Sequence, residues 1–301
     1  MKPMFPAIAA MLVPTFLSAQ TVSVDTFAGA ADVPQNPQTV VALDLAAIDT
    51  LDAIGVSVAG VPDITPPAYL QDAVSAGEIA GTLFEPNFEA IAAMQPDVII
   101  AGGRSQSQVE PLSRIAPTVD MTIGAEAGIV ETAKARATAY GVMFDKQDAA
   151  DAAIAELDAA IEAAQAAVTD ADNALILMTN GGKVSAYGGE SRFGWIYSTL
   201  NLPEAHADLD TNTHGEAVSF EFIAQTDPAW IFVIDRGAAI GQEGEAAATT
   251  LDNPLVAGTR AGQAGQIVYL DSAPLYLAGG GLQSMTGTLS EITAAMTDAT
   301  N

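Results

Sequence analysis

Three arginines, Arg104, Arg192 and Arg236, stand out in a chain with 10 Lys+Arg against 37 Asp+Glu and a formal net charge of −27. A guanidinium is a planar, permanently charged fork that grips anionic oxygens through charge-assisted hydrogen bonds. Arg104 closes PDVIIAGGR and Arg236 closes DPAWIFVIDR, each just past an apolar run, and Arg192 lies in the glycine- and aromatic-rich AYGGESRFGWIY. Gathered in one low-dielectric cleft, the three would bind an anion; taken singly, Arg192 reads equally as a loop-pinning residue. Two more side chains carry usable chemistry: His214 in the polar DTNTHGEAVSF, and Tyr276 in DSAPLYLAGGG. A neutral imidazole and a phenolate are suitable donors for ferric iron. Alone, His214 is an ordinary loop histidine and Tyr276 ordinary half-buried packing.

Composition removes several other chemistries. The chain has no cysteine, which excludes disulfides, thiolate catalysis, iron–sulfur clusters and cysteine-based zinc sites. With His206 and His214 its only histidines, a three-histidine metal cage is excluded too. The acidic balance is wrong for nucleic acid or a polybasic grip on anionic lipid. Gly279-Gly280-Gly281 lacks the Lys-Ser/Thr of a P-loop, GLQSMTG lacks the final glycine of a nucleophile elbow, and no HExxH or calcium-loop pattern occurs. A secreted α/β enzyme using His214 with Glu216 has no nucleophile motif behind it, and a pure surface-interaction protein would keep its partner when the three arginines are replaced together.

The elements that must position these residues follow from periodicity. TVVALDLAAIDTLDAIGVSVAGVP (Thr39 to Pro62) reads as strand, helix and short strand. PNFEAIAAMQPDVIIAGGR reads as a helix and then a strand buried on both faces, a pattern of α/β folds with parallel sheets. NALILMTNGGKVSAYG reads as two strands around a Gly-Gly turn. Residues 145–169 contain no Gly or Pro, and Ile154, Leu157, Ile161 and Val168 fall on one face, predicting one long helix. At 1.5 Å per residue it spans roughly 36 Å, more than one compact lobe needs, so a connector between lobes is expected.

An internal repeat ties the arginines to those elements. At a constant offset of 132 residues NFEAIAAMQPDVIIAGGR matches SFEFIAQTDPAWIFVIDR, pairing Phe88 with Phe220, Glu89 with Glu221, Pro96 with Pro228 and Arg104 with Arg236. Both copies open on a helix N-cap, Asn87 or Ser219, with a glutamate in the first turn where the helix dipole favours an acid. Both end on an arginine at the carboxyl end of a strand, the edge where ligands bind in open α/β sheets. A generic βα pattern accounts equally for the apolar matches, but less well for the paired arginines in a chain with only six.

Taken together, these stretches resemble the periplasmic binding proteins of ferric-siderophore ABC importers, in particular the catecholate-binding branch. PNFEAIAAMQPDVIIAGGR alone marks only the wider class, which includes haem and cobalamin binders. With GESRFGWIYSTLNLPEA, THGEAVSFEFI, DPAWIFVIDR and DSAPLYLAGGG the likeness becomes specific. It implies an α/β fold of two Rossmann-like lobes with parallel sheets, 20–144 and 170–301, joined by the single helix 145–169, with the ligand in the cleft between them. It implies that Arg104, Arg192 and Arg236 contact the catecholate oxygens, and that His214 and Tyr276 complete the iron shell of a tetradentate siderophore. It implies that Glu89 and Glu221 dock onto the importer's permease. The expectation is a monomeric binding protein, not an enzyme, with no intrinsic cofactor and Fe(III) arriving as a ferric siderophore; a haem or cobalamin binder is the alternative. Residues 1–19 read as a signal peptide cut after Ala19, and the missing cysteine predicts a protein free in the periplasm rather than lipid-anchored.

Overall fold

The computed structural model describes residues 20–124, 128–169, 171–209 and 215–299; the expected signal peptide lies outside them. Two five-stranded sheets organise the chain. The first has the order β5-β4-β3-β6-β7, from β3 (Val40–Ala42), β4 (Gly60–Val61), β5 (Glu78–Ile79), β6 (Val98–Ala101) and β7 (Thr118–Asp120), all parallel. The second has the order β10-β9-β8-β11-β12, from β8 (Ala174–Asn180), β9 (Lys183–Tyr187), β10 (Glu216–Ala217), β11 (Trp230–Asp235) and β12 (Ile267–Tyr269). There β8, β11 and β12 are parallel, whereas β9 is antiparallel to β8 and to β10. The Gly-Gly turn makes this hairpin, so the second sheet is mixed rather than purely parallel. A separate antiparallel hairpin, β1 (Thr21–Thr26) with β2 (Gly29–Pro34), precedes the first sheet and had no counterpart in the sequence expectations.

The repeat is a structural one. Asn87 caps the helix Phe88–Met94 by accepting from Ala90 N at 3.1 Å, and Ser219 caps Phe220–Thr226 by accepting from Phe222 N at 3.3 Å. Both helices stop on a non-glycine residue in the left-handed region at repeat-equivalent positions, Gln95 (φ 50) and Asp227 (φ 45). A proline follows each, and the next strands, β6 and β11, are both buried on both faces.

Two antiparallel helices run between the cores of the two halves. In Ile129–Phe144, Ala133 and Ala137 pack in the core beneath the second sheet, while Tyr140, Met143 and Phe144 pack beneath the first. The next helix, Gln147–Val168, returns: Ala150 belongs to the first core and Leu157, Ala164 and Val168 to the second. The C-terminal helix Leu282–Ala299 lies along it.

Candidate functional site

In each sheet the order of strands reverses between two neighbours, β3 beside β6 and β8 beside β11. At such a switch point the two connections leave in opposite directions and open a crevice at the carboxyl ends. The residues at those four ends are Asp44 after β3, Gly103 and Arg104 after β6, Asn180 closing β8, and Arg236 after β11. All of them line one cleft of about 840 Å³. A second cavity of about 650 Å³, between the helices Gln147–Val168 and Leu282–Ala299, has neither arginine nor lysine in its lining.

Each arginine is delivered by a fixed local structure. Gly103 N donates to Thr122 Oγ1 (3.0 Å), which donates to Asp120 Oδ1 (2.6 Å), so the turn carrying Arg104 is tied to the end of β7. Asp235 is an N-cap: Oδ1 accepts from Ala238 N at 3.0 Å and Oδ2 from Ala247 N at 2.8 Å. The carboxylate is thereby spent on backbone, and the guanidinium of Arg236 is free to face the cleft. Arg192 follows a loop held by Ser191 Oγ donating to Gly188 O (2.6 Å) and by Gly189 N donating to Glu204 (2.7 Å).

Tyr276 is the common centre. It packs against both cores, on the helix Ser272–Leu277. Its backbone carbonyl accepts from Arg104 Nη2 at 2.9 Å and from Arg192 Nη2 at 2.8 Å, and its hydroxyl oxygen accepts from Arg236 Nε at 3.1 Å. The Cζ atoms of the three lie 5.5, 4.8 and 5.9 Å from the centroid of its ring. Among the described residues no ion pair involves any of the three. Their partners are neutral acceptors, which orient the forks without cancelling their charge and leave other donors of each unused.

Such a cluster is electrostatically costly when empty. Two unit charges about 6 Å apart repel by about 3 kcal/mol at the effective dielectric of a half-buried site. Burial, and then the charge of Arg104, hold the pKa of Arg192 below its usual value. The ring of Tyr276 offsets part of this through cation–π attraction of about 0.5–1 kcal/mol per contact. An anion placed among the three would relieve the repulsion directly.

Other lining residues were not singled out from the sequence. Asp44 is 7 % exposed, and burial, opposed by Ala46 N and Arg104, raises its pKa to about 6. Its signal was available: an aspartate after an apolar strand and at a helix N-cap. Along β9 the alternate residues Lys183, Ser185 and Tyr187 line the cleft, as the two-residue period of a strand requires. Trp195, Asn180 and Phe84 complete the polar and aromatic wall. Of the residues expected from sequence, Arg104, Arg192, Arg236 and Tyr276 are brought together. His214 lies outside the described residues. Glu89 and Glu221 are not in the cleft lining; each is exposed in the first turn of its repeat helix. Hydrogen bonds to the backbone and Ser219 hold the pKa of Glu221 below its usual value.

Comparison with known proteins agrees with this architecture. The sequence matches the Periplasmic binding protein family over residues 40–274. The chain belongs to that family. It is 38 % identical over 266 residues to the petrobactin-binding protein YclQ of Bacillus subtilis, covering 86 % of this chain and 83 % of the relative. The crystal structure of YclQ superposes with a TM-score of 0.86 at 35 % identity, covering 92 % and 99 % of the two chains. The ferric-anguibactin-binding protein FatB of Vibrio anguillarum is 31 % identical over 270 residues, 88 % and 84 % of the respective chains. The catecholate-siderophore binding protein VctP of Vibrio cholerae has a TM-score of 0.85 at 29 % identity, covering 91 % and 100 %. The family is one of binding proteins, and no helix among the described residues is long and apolar enough to cross a membrane.

Proposed function

We propose that this protein captures a ferric siderophore, of catecholate type, in the cleft between its halves and passes it to the permease of an ABC importer on the outer side of the cytoplasmic membrane. It does so as a soluble monomer without catalysis, its lobes 20–144 and 170–301 flanking the connector 145–169. The observation that carries this is the convergence of Arg104, Arg192 and Arg236 on Tyr276, with no carboxylate among the described residues in an ion pair with any of them. Deprotonated catechols present dense anionic oxygen, the acceptor that three such forks suit. Relatives named for petrobactin, anguibactin and catecholate siderophores support the ligand class.

Within this function Tyr276, with His214, supplies the donors that complete the shell of a four-coordinating ferric chelate. The Tyr276 oxygen already accepts from Arg236 and retains a second lone pair. Gly215, the sequence neighbour of His214, abuts the ring of the cleft residue Tyr187, which supports His214 as the companion donor. Glu89 and Glu221, exposed and repeat-equivalent, are the docking acids for the permease.

Titration with a ferric bis-catecholate tests the function. Trp195 lines the cleft, so its fluorescence should quench with a midpoint below about 1 μM, a binding free energy beyond about −8 kcal/mol. Arg104→Ala, Arg192→Ala and Arg236→Ala should each weaken binding by roughly 10- to 100-fold, the worth of one charged hydrogen-bonded contact. Tyr276→Phe and His214→Ala should shift the charge-transfer band of the bound iron. Saturating chelate with no quench sinks the proposal; unchanged bands in both variants remove only the iron-donor roles.

A further inference from the structure

Seven large apolar side chains are exposed among the described residues; Phe84, at 61 %, is the most exposed, and it alone lines the cleft. Its exposure is built in. Thr82 N donates to Glu85 O at 2.9 Å, and Thr82 Oγ1 accepts from Phe84 N (3.3 Å) and Glu85 N (3.0 Å), closing a tight turn. The neighbours on either side anchor it: Leu83 is in the core beneath the first sheet and Pro86 is buried. Gly81 sets the entry at φ +108, where a Cβ would come within 2.4 Å of Asn87 N, so only glycine lets the turn close. Asp63 N donates to Gly81 O at 2.7 Å and Asn87 N to Ala80 O at 2.9 Å, fastening both ends.

The fastened turn thus presents the Phe84 ring to water at the anion cleft. The other cleft aromatics, Tyr187, Trp195 and Tyr276, belong to the second half of the chain and are half-buried or buried. Phe84 is the aromatic face offered from the first half. Aromatic rings gain from offset or edge contact beyond the area they bury, and a phenylalanine on a fastened turn has only its two side-chain torsions to immobilise on doing so.

We infer that Phe84 is a specificity-determining contact that stacks on an aryl ring of the bound chelate, so that the site selects aryl-bearing ferric ligands over equally anionic aliphatic ones. The inference rests on the function proposed above and adds to it a residue and a chemical criterion. The arginines read charge, which an aliphatic carboxylate chelate shares; Phe84 reads the ring.

The test titrates a ferric bis-catecholate into the full chain and its Phe84→Ala, Phe84→Leu and Phe84→Tyr variants, followed by Trp195 fluorescence. Because the side chain is exposed, the variants should melt with the parent protein. Alanine is expected to weaken binding about 10-fold, leucine to recover only part of that, and tyrosine to come within about twofold of the parent. With diamagnetic Ga(III) in place of iron, ring protons of Phe84 should show nuclear Overhauser contacts to the catechol protons. Alanine within twofold of the parent, leucine equal to phenylalanine, or absent contacts would overturn the role. So would an alanine variant that binds normally but fails to deliver chelate to permease-bearing vesicles, since that places the ring at the partner surface. If the parent protein itself binds no ferric catecholate, the proposed function falls and this inference with it; if the parent binds and alanine matches it, only the role of Phe84 falls.

Discussion

Tyr276 shows how much one residue can hold together. Its carbonyl orients two guanidiniums, its hydroxyl a third, and its ring faces all three. The sequence leaves it open as packing or as an iron donor; its packing against both cores is what sets it beside the arginines, and the donor role belongs to the proposed function. Asp44 adds a pH dependence. Its carboxyl, raised to about 6 by burial, is neutral below that value and anionic above it. Ionised Asp44 opposes an anionic ligand, so binding should weaken as pH rises from 5 to 7. Asp44→Asn keeps the cap acceptor and does not titrate. The ratio of dissociation constants, parent over Asp44→Asn, should therefore rise across that interval; a flat ratio would show that Asp44 does not sense the ligand.

At the scale of elements, the joint between the halves is a clasp at the start of the C-terminal helix. Asp49, buried on the helix Leu45–Ala53 of the first half, accepts from Gln283 N at 2.8 Å, Ser284 N at 2.9 Å and the hydroxyl of Tyr69. It caps a helix from across the molecule, satisfying donors that begin every helix. Burial outweighs those three donors and raises its pKa to about 7. Since that exceeds the unfolded value near 4, the folded state holds the extra proton between about pH 4 and 7, and this group's contribution to stability falls as pH rises through that window. The clasp leaves no room at Gly281, where a Cβ would come within 2.3 Å of Asp49 Cγ. Gly281→Ala should lower the melting temperature by several degrees, an overpacking cost of about 1–3 kcal/mol, whereas Gly287→Ala, which meets nothing, should not. Equal melting temperatures would show that the clasp yields freely. The start of the helix, near Leu282, is legible in the sequence, but its cap is not, because Asp49 lies more than 230 residues upstream.

The whole molecule sets local attraction against global repulsion. Nine cations are described, and four of them, Arg104, Lys183, Arg192 and Arg236, line the cleft of a chain whose net charge is −27. An approaching anionic chelate meets the long-range negative field first and the arginines last. Raising ionic strength from about 0.01 to 0.15 M shortens the Debye length from about 30 to 8 Å. Stopped-flow association with a ferric catecholate should accelerate over that range, the reverse of electrostatically steered capture. Slowing with salt would mean that the field of the cleft dominates even at a distance.

Sequence alone determined what is local or periodic. The two capped repeat helices, the strands buried on both faces, the hairpin at Gly181-Gly182 and the long Ala-rich helix are written in spacing and turn chemistry within a few residues of each other. The repeat carried that reading to the pairing of Arg104 with Arg236. Tertiary structure decided what depends on residues far apart: that Arg192 joins the pair, that Tyr276 lies at the centre, and that Asp44 and β9 form the walls. It also decided that Phe84, one apolar letter among many, stands in water at the rim. Composition cannot distinguish an exposed phenylalanine from a buried one, because burial depends on which distant surfaces the completed chain brings against it.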